Sequence, residues 1–339
     1  MKTTAVQPTP DGLHGHHLSR AKAKKTVASI STADWFPSLV AIKGRSFPAA
    51  PICAVTAWAA AVVVLGKTVL KDDLPNAIDK FAITMAGTAL FFLLVFRTNA
   101  SYARWWEGRQ RWGSVINRTR DLSRQACHYI DTPGIKESVT KWLVAFSYCM
   151  MHHLRFEHEF DELREVAMPV RLSDTQLEAI DAAAHMPLLC LDAIAQALKA
   201  AHRAGEIDAI LLQTMDANLT SLEDSLGACE RILKTPFPFS YLVHLRTFMF
   251  VWLLAAPFAA LPVLGWAAIP ATFFASYGLM GIEQIGVEIE NPFGTDPSDL
   301  KLAALCKTIE TNLAELLVRA ADDHKAMADK DTHWKQFEI

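Results

Sequence analysis

The sequence predicts an all-α membrane protein, with four transmembrane helices per subunit continuous with a cytosolic helical bundle. From Phe248 to Ile282, 35 residues contain no Asp, Glu, Lys or Arg, although a fifth of the chain is charged. One helix crosses a bilayer core with ~20 apolar residues, so this run fits two spans joined by a turn. Two further uncharged stretches, residues 49–66 and 81–96, precede it. The chain has 339 residues, 51% of them hydrophobic, and a mean hydropathy of +0.17. These values fit a membrane part joined to a sizeable water-exposed part. The net charge of -3 gives no footprint for nucleic acid.

Residues 1–33 read as a flexible basic arm carrying Arg20, Lys22, Lys24 and Lys25. His14, His16 and His17 lie in it at a spacing that fixes no metal geometry. Residues 34–97 comprise an interfacial segment, with Trp35, Phe36, Lys43 and Arg45, followed by spans one and two. A polar loop with Pro75 joins these spans, and small residues Gly87, Thr88 and Ala89 mark the middle of the second.

Span two has no breaker at its end. Helix formers continue from Arg97 through Arg124, so one long helix is expected to leave the membrane. Its wet part carries Arg97, Arg104, Arg109, Arg111, Arg118, Arg120 and Arg124, which marks the cytoplasmic side. Both termini are then cytoplasmic in a multi-pass protein of the cell membrane.

Residues 98–234 form the cytosolic region, with further helices expected over 136–166, 173–204 and 207–233. Ser173 and Gln176 have capping-box spacing. Leu143 to Met151 is apolar but too short to cross lipid, so a buried core helix is expected. Residues 235–290 hold spans three and four, over 239–256 and 262–282, with the turn near Pro257–Trp266. Residues 291–339 give a cytosolic turn and a last helix, with Ser298 as its cap.

Six cysteines, none in a C-x-x-C pair, read as isolated thiols in a reducing compartment. His152, His153, Glu157 and His158 cluster on one helix, but no second matching helix motif accompanies them, so a solvated face is expected. Glu157, Glu159, Asp161, Glu162 and Glu165 form an acidic surface that would attract cations if it lined a vestibule. Phosphate loops, nucleophile elbows and catalytic triads have no counterpart in the sequence, so neither an enzyme nor a cofactor is expected.

Met85, Thr88, Phe92, Phe96, Asn99 and Ala103 recur three or four residues apart and share one helix face. Such a stripe either packs on neighbouring helices or lines a pore in a ring of subunits. In the second case Phe92 and Phe96 make stacked apolar rings above polar Asn99, a constriction that gates by dewetting. One subunit's four helices hardly enclose a water path, so a closed symmetric ring is expected.

Three blocks resemble the bestrophin family: Phe96 to Glu107 (FRTNASYARWWE), Thr235 to Tyr241 (TPFPFSY) and Asn291 to Asp296 (NPFGTD). The motif residues are Arg97, Asn99, Arg104, Trp105, Asn291, Pro292, Phe293 and Gly294. The similarity covers residues 35–319, in a bacterial and plant-like version. It implies a pentameric passive ion channel with a neck at Thr88, Phe92 and Phe96, where Thr88 replaces the usual apolar residue. It also implies a lower cytosolic constriction, for which Ile210 is the candidate and an ordinary core position the competing reading. The permeant partners implied are chloride or other small monovalent anions, with sodium as the alternative. Animal members resemble one another in an acidic run that clasps calcium. Here Thr295-Asp296-Pro297-Ser298-Asp299 interrupts that run, so no intact clasp is expected. Two other classes compete: a membrane-anchored metal enzyme or sensor at His152–His158, and a transporter with broken helices at Pro257 and Pro270.

Overall fold

A computed structural model describes residues 48–69, 79–157 and 161–335. The basic arm with its histidines, the interfacial Trp35–Arg45 segment, Pro75, His158 and Glu159 lie outside the described residues. Every regular element among the described residues is helical.

Helix α1, Ala49–Val64, ends in a π-helical turn, Leu65–Val69. Helix α2, Lys80–Tyr129, is a single 50-residue helix, about 75 Å long at 1.5 Å per residue. Asp79 caps it by accepting from the Phe81 N–H. Its first half packs with α1, α8 (Phe239–Leu264) and α9 (Ala268–Glu288) around Ile52, Val55, Leu90, Leu94, Leu245 and Leu253. Its second half enters a larger core with α3 (Pro133–Arg155), α6 (Met186–Arg203), α7 (Ala209–Lys234) and α10 (Leu302–Lys335). The short helices α4, Asp161–Arg164, and α5, Asp174–Asp181, complete the chain order. Leu143 to Met151 is buried throughout this larger core, as its length and apolarity predict.

Among the described residues, three apolar helical stretches are long enough to cross a membrane: Ala49–Val69, part of Lys80–Tyr129, and Phe239–Glu288. The last is broken by a 3-10 turn, Gly265–Ala267. The break lies later than Pro257, because α8 absorbs both Pro257 and Pro262. A proline removes one N–H, which a membrane helix tolerates. The conformation the break needs is supplied by Gly265, at φ +54°.

Three other boundaries, and the burial of one histidine, differ from expectation. Helix α3 stops at Arg155 because Phe156 adopts φ +56° and the Glu157 N–H closes back on the His152 carbonyl at 3.0 Å. No glycine marks this cap in the sequence. The 173–204 segment is two helices rather than one. His185 caps α6 and Pro187 fits its first turn, while Ser173 and Gln176 form the expected capping box on α5. Ser298 does not cap the last helix, which begins at Leu302; its carbonyl accepts instead from the Trp105 indole N–H at 3.0 Å. His152 is fully buried rather than solvated, with Nδ1 3.4 Å from Glu157 and Nε2 3.3 Å from Glu162.

The cysteines are free thiols. Cys127, Cys149, Cys190, Cys229 and Cys306 are buried, and burial pushes the Cys229 and Cys306 thiols up to about 12, which leaves them unreactive.

The N-terminus of α3 borrows its cap from another helix pair. Glu206, between α6 and α7, accepts from the Asp131 N–H (2.8 Å), the Thr132 N–H (3.1 Å) and the Thr132 hydroxyl. These hydrogen bonds, led by that from the Thr132 side chain, hold the Glu206 carboxyl below its ordinary 4.5. Glu206→Ala is expected to lower stability by about 1 kcal/mol, the scale of a lost cap. The lowered pKa means that this contribution is present above the unfolded carboxylate value and is lost as pH falls through the native one. Thermal unfolding of wild type and variant against pH should show a gap that closes in acid.

Candidate permeation stripe and its anchor

Helix α2 is turned by what it buries. Leu90, Leu94, Arg97, Ser101 and Gly108 face the protein interior on one side. Thr88, Phe92, Phe96, Asn99 and Ala103 are exposed on the other, with Phe92 57% and Phe96 65% accessible. Adjacent helical residues differ by about 100°, so fixing Arg97 inward sets the direction of Phe96. The Thr88 hydroxyl donates to the Thr84 carbonyl at 3.0 Å, so its donor is used within the helix. Helix α8 holds the opposite side through two hydrogen bonds. The Tyr241 hydroxyl donates to the Leu93 carbonyl (2.9 Å) and the Trp252 indole to the Ile83 carbonyl (2.9 Å). Gly87 makes room for Trp252, since a Cβ there would lie 3.1 Å from its Nε1.

The anchor is a buried ion pair. The Arg97 side chain is wholly inaccessible, with Nη2 2.6 Å from Glu290 Oε2 and Nη1 donating to the Ser101 hydroxyl. Its guanidinium lies over the Phe237 ring, 4.7 Å from the centroid. The other oxygen of Glu290 accepts from the Phe237 N–H at 2.7 Å. Arg104, two turns further on, donates to the carbonyls of Glu290 (3.2 Å), Thr235 (2.5 Å) and Ile232. One acid and two arginines therefore tie α2 to the entry of α8 and the exit of α9.

The third block is welded to the same helix. Pro292 and Phe293 are buried against Gly108, where a Cβ would lie 3.0 Å from Pro292 Cγ and 3.1 Å from Phe293 Cε1. Asn291 accepts from the Phe293 N–H at 3.3 Å. A Cβ on Gly294 would lie 2.6 Å from Asp299 Oδ2, so only glycine fits beside that carboxylate. Asp299 Oδ2 accepts from the Asp296 N–H (2.8 Å), and burial pushes the Asp299 carboxyl up. Arg155 donates to the carbonyls of Phe293 (3.2 Å) and Gly294 (3.3 Å).

Of the motif residues, Arg97, Arg104, Trp105, Asn291, Pro292, Phe293 and Gly294 meet in this joint. Asn99 stands apart, exposed beside a groove shared with Leu279 and Ile282. Ile210, in the first turn of α7 behind its cap Asp208, is 76% exposed, which removes the core reading within the subunit. The arginines that could have favoured anions by facing a pore are largely engaged elsewhere: Arg97 and Arg104 in the joint, Arg111 with Glu107, Arg118 with Asn218 and Arg124 with Asp121. Glu290 and Phe237 are the residues that sequence reasoning missed as anchors. The available signal was one acid directly before Asn-Pro-Phe-Gly, with no basic neighbour in sequence to pair with it.

Residues 27–315 match the family described as Bacterial/Fungal Bestrophin protein. The chain belongs to the bestrophin family. Bestrophin membership places it among ion channels rather than enzymes. A "voltage-dependent anion channel-forming protein" of Nostoc sp. is 38% identical over 67% of this chain and 74% of its own length. A "voltage-dependent chloride channel 1, chloroplastic" of Arabidopsis thaliana is 29% identical over 78% of this chain and 64% of its own. A crystal structure of a bacterial bestrophin homolog from Klebsiella pneumoniae superposes with a TM-score of 0.72, 27% identity, and coverage of 78% of this chain and 97% of that one.

Removing Glu290 strands a buried guanidinium, a change that costs on the order of 3–5 kcal/mol. Glu290→Ala is expected to destabilise the purified protein more than Arg97→Met combined with Glu290→Leu, which removes both charges. A thermal-shift comparison of the single and double variants checks that order.

Proposed function

We propose that this bestrophin is the subunit of a passive channel for chloride or other small monovalent anions. In this reading α1, α2, α8 and α9 each span the bilayer, both termini are cytoplasmic, and identical subunits, five by the family resemblance, close a ring around α2. The observation that carries it is the exposed stripe Thr88–Phe92–Phe96–Asn99–Ala103 on a helix whose rotation is fixed by buried charge. Large aromatic side chains stand uncovered along α2, Phe92 and Phe96 together with Phe81, Phe91, Tyr102 and Trp106, and copies of the subunit around an axis supply a partner surface for the stripe.

The mechanism needs no bond chemistry. Phe92 and Phe96 from each subunit narrow a water column until hydration is lost, and the dewetting barrier sets conductance. The positive ring edges of phenylalanine favour an anion stripped of water. The names of the Nostoc and Arabidopsis relatives support the same sign of charge. Asn99 offers hydrogen bonds below the apolar rings, and exposed Ile210 forms the second constriction at the cytosolic end. Phe96→Ala is expected to raise single-channel current in planar bilayers, with a reversal potential in asymmetric NaCl that follows chloride. An unchanged current refutes the neck, and a reversal potential that follows sodium selects the cation alternative.

The same reading has no calcium-operated clasp. Arg155 already places a fixed cation on the Phe293 and Gly294 carbonyls, and Asp299 Oδ2 is committed to the Asp296 N–H. Ca²⁺ takes six or more oxygens, more than this turn leaves available. Currents are expected to be equal in calcium chelator and in micromolar Ca²⁺; opening by calcium contradicts this.

A further inference from the structure

Helices α3, α6 and α7 bring together three metal-capable side chains that the permeation account does not use. His153 lies in the last turn of α3, His185 at the N-cap of α6 and Glu230 just before the last turn of α7. One donor atom from each lies within 4.8 Å of the other two. His153 Nε2 is 2.6 Å and His185 Nε2 3.2 Å from the same oxygen, Glu230 Oε1. The two imidazole centroids are 4.5 Å apart. Each side chain is only partly accessible, at 22%, 35% and 21% respectively, so the cluster is shielded yet open to one further ligand from solvent.

We propose that His153, His185 and Glu230 form a binding site for a divalent transition metal of the zinc class. Two imidazole nitrogens and one carboxylate oxygen suit borderline-soft Zn²⁺, whereas Ca²⁺ and Mg²⁺ require oxygen sets. Bonds of about 2.0–2.1 Å in a tetrahedron place ligand atoms roughly 3.3 Å apart. The His185–Glu230 distance already matches, the His153–Glu230 distance opens by about 0.7 Å, and the two imidazole donors, within 4.8 Å of each other, come to the same separation. Water completes the fourth position. Lys234, whose ammonium is 3.3 Å from Glu230 Oε1, is 60% exposed and swings away into solvent when the metal takes its place.

Ligation also changes a cap. His185 Nδ1 accepts from the Leu188 N–H at 3.3 Å, so the proton of the neutral ring is on Nε2. A metal on Nε2 moves that proton to Nδ1 and removes the acceptor, leaving the Leu188 amide without its cap. The site would therefore pin the end of α7 beside Ile232, whose carbonyl holds Arg104, while loosening the first turn of α6.

The full-length protein, purified in detergent and stripped with EDTA, is equilibrated with Zn²⁺, desalted and assayed for bound metal. The wild type should retain one more zinc per subunit than His153→Gln, His185→Gln or Glu230→Gln. The affinity for that zinc should fall more than about tenfold in each variant. All variants keep His14, His16 and His17, so binding by that segment cancels in the difference. X-ray absorption of the zinc-loaded wild type, which needs no variant to fold, should show two imidazoles at about 2.0–2.1 Å. Hydrogen exchange at Leu188 should speed up with zinc. Equal metal content in wild type and variants, or a zinc shell without two imidazoles, overturns the proposal.

Discussion

The Arg97–Glu290 ion pair governs the geometry of the membrane half. A guanidinium with no accessible surface is tolerated only where its charge and most of its donors are met. Here Glu290, Ser101 and the Phe237 ring meet them from three different segments. Because α2 is one uninterrupted helix, fixing one residue's azimuth fixes all the others. The aromatic stripe is thus oriented by a buried charge about 100° around the same turn of helix from Phe96, while Phe92 and Phe96 themselves stay out of the subunit core.

That pair also explains why three separated stretches of sequence belong together. Phe96 to Glu107, Thr235 to Tyr241 and Asn291 to Asp296 are the places where the apolar helices meet the larger helical bundle. Arg104 gathers carbonyls from the end of α7 and the end of α9, Trp105 reaches Ser298, and Gly108 lets Pro292 and Phe293 close on α2. These contacts require particular residue types: a forked donor, a long indole, a missing Cβ. A hydrophobic core residue is replaceable by another of similar volume, but these are not. A motif made of such residues is a joint, and it sets the stripe's helix against both the other apolar helices and the larger helical bundle.

The parts of this architecture legible in the sequence are those set by local rules. The uncharged stretches, the continuation of α2 past Phe96, the buried Leu143–Met151 segment and the Ser173–Gln176 capping box follow from periodicity and capping chemistry. What escaped depended on tertiary partners. Phe156 ends α3 in a left-handed conformation with no glycine to announce it, and within the expected Pro257–Trp266 turn it is Gly265, rather than either proline, that makes the break. The arginines after Phe96 look alike in sequence, yet Arg97 is entombed while others pair on the surface. His153 lacked a matching motif because its partners, His185 and Glu230, come singly from two other helices.

The orientation of α2 within the assembled protein tests this account most directly. A structure of the purified oligomer in lipid should place Phe92 and Phe96 of every subunit on the symmetry axis, with Arg97 turned back onto Glu290. Phenylalanines facing lipid, or Arg97 lining the axis, would contradict it.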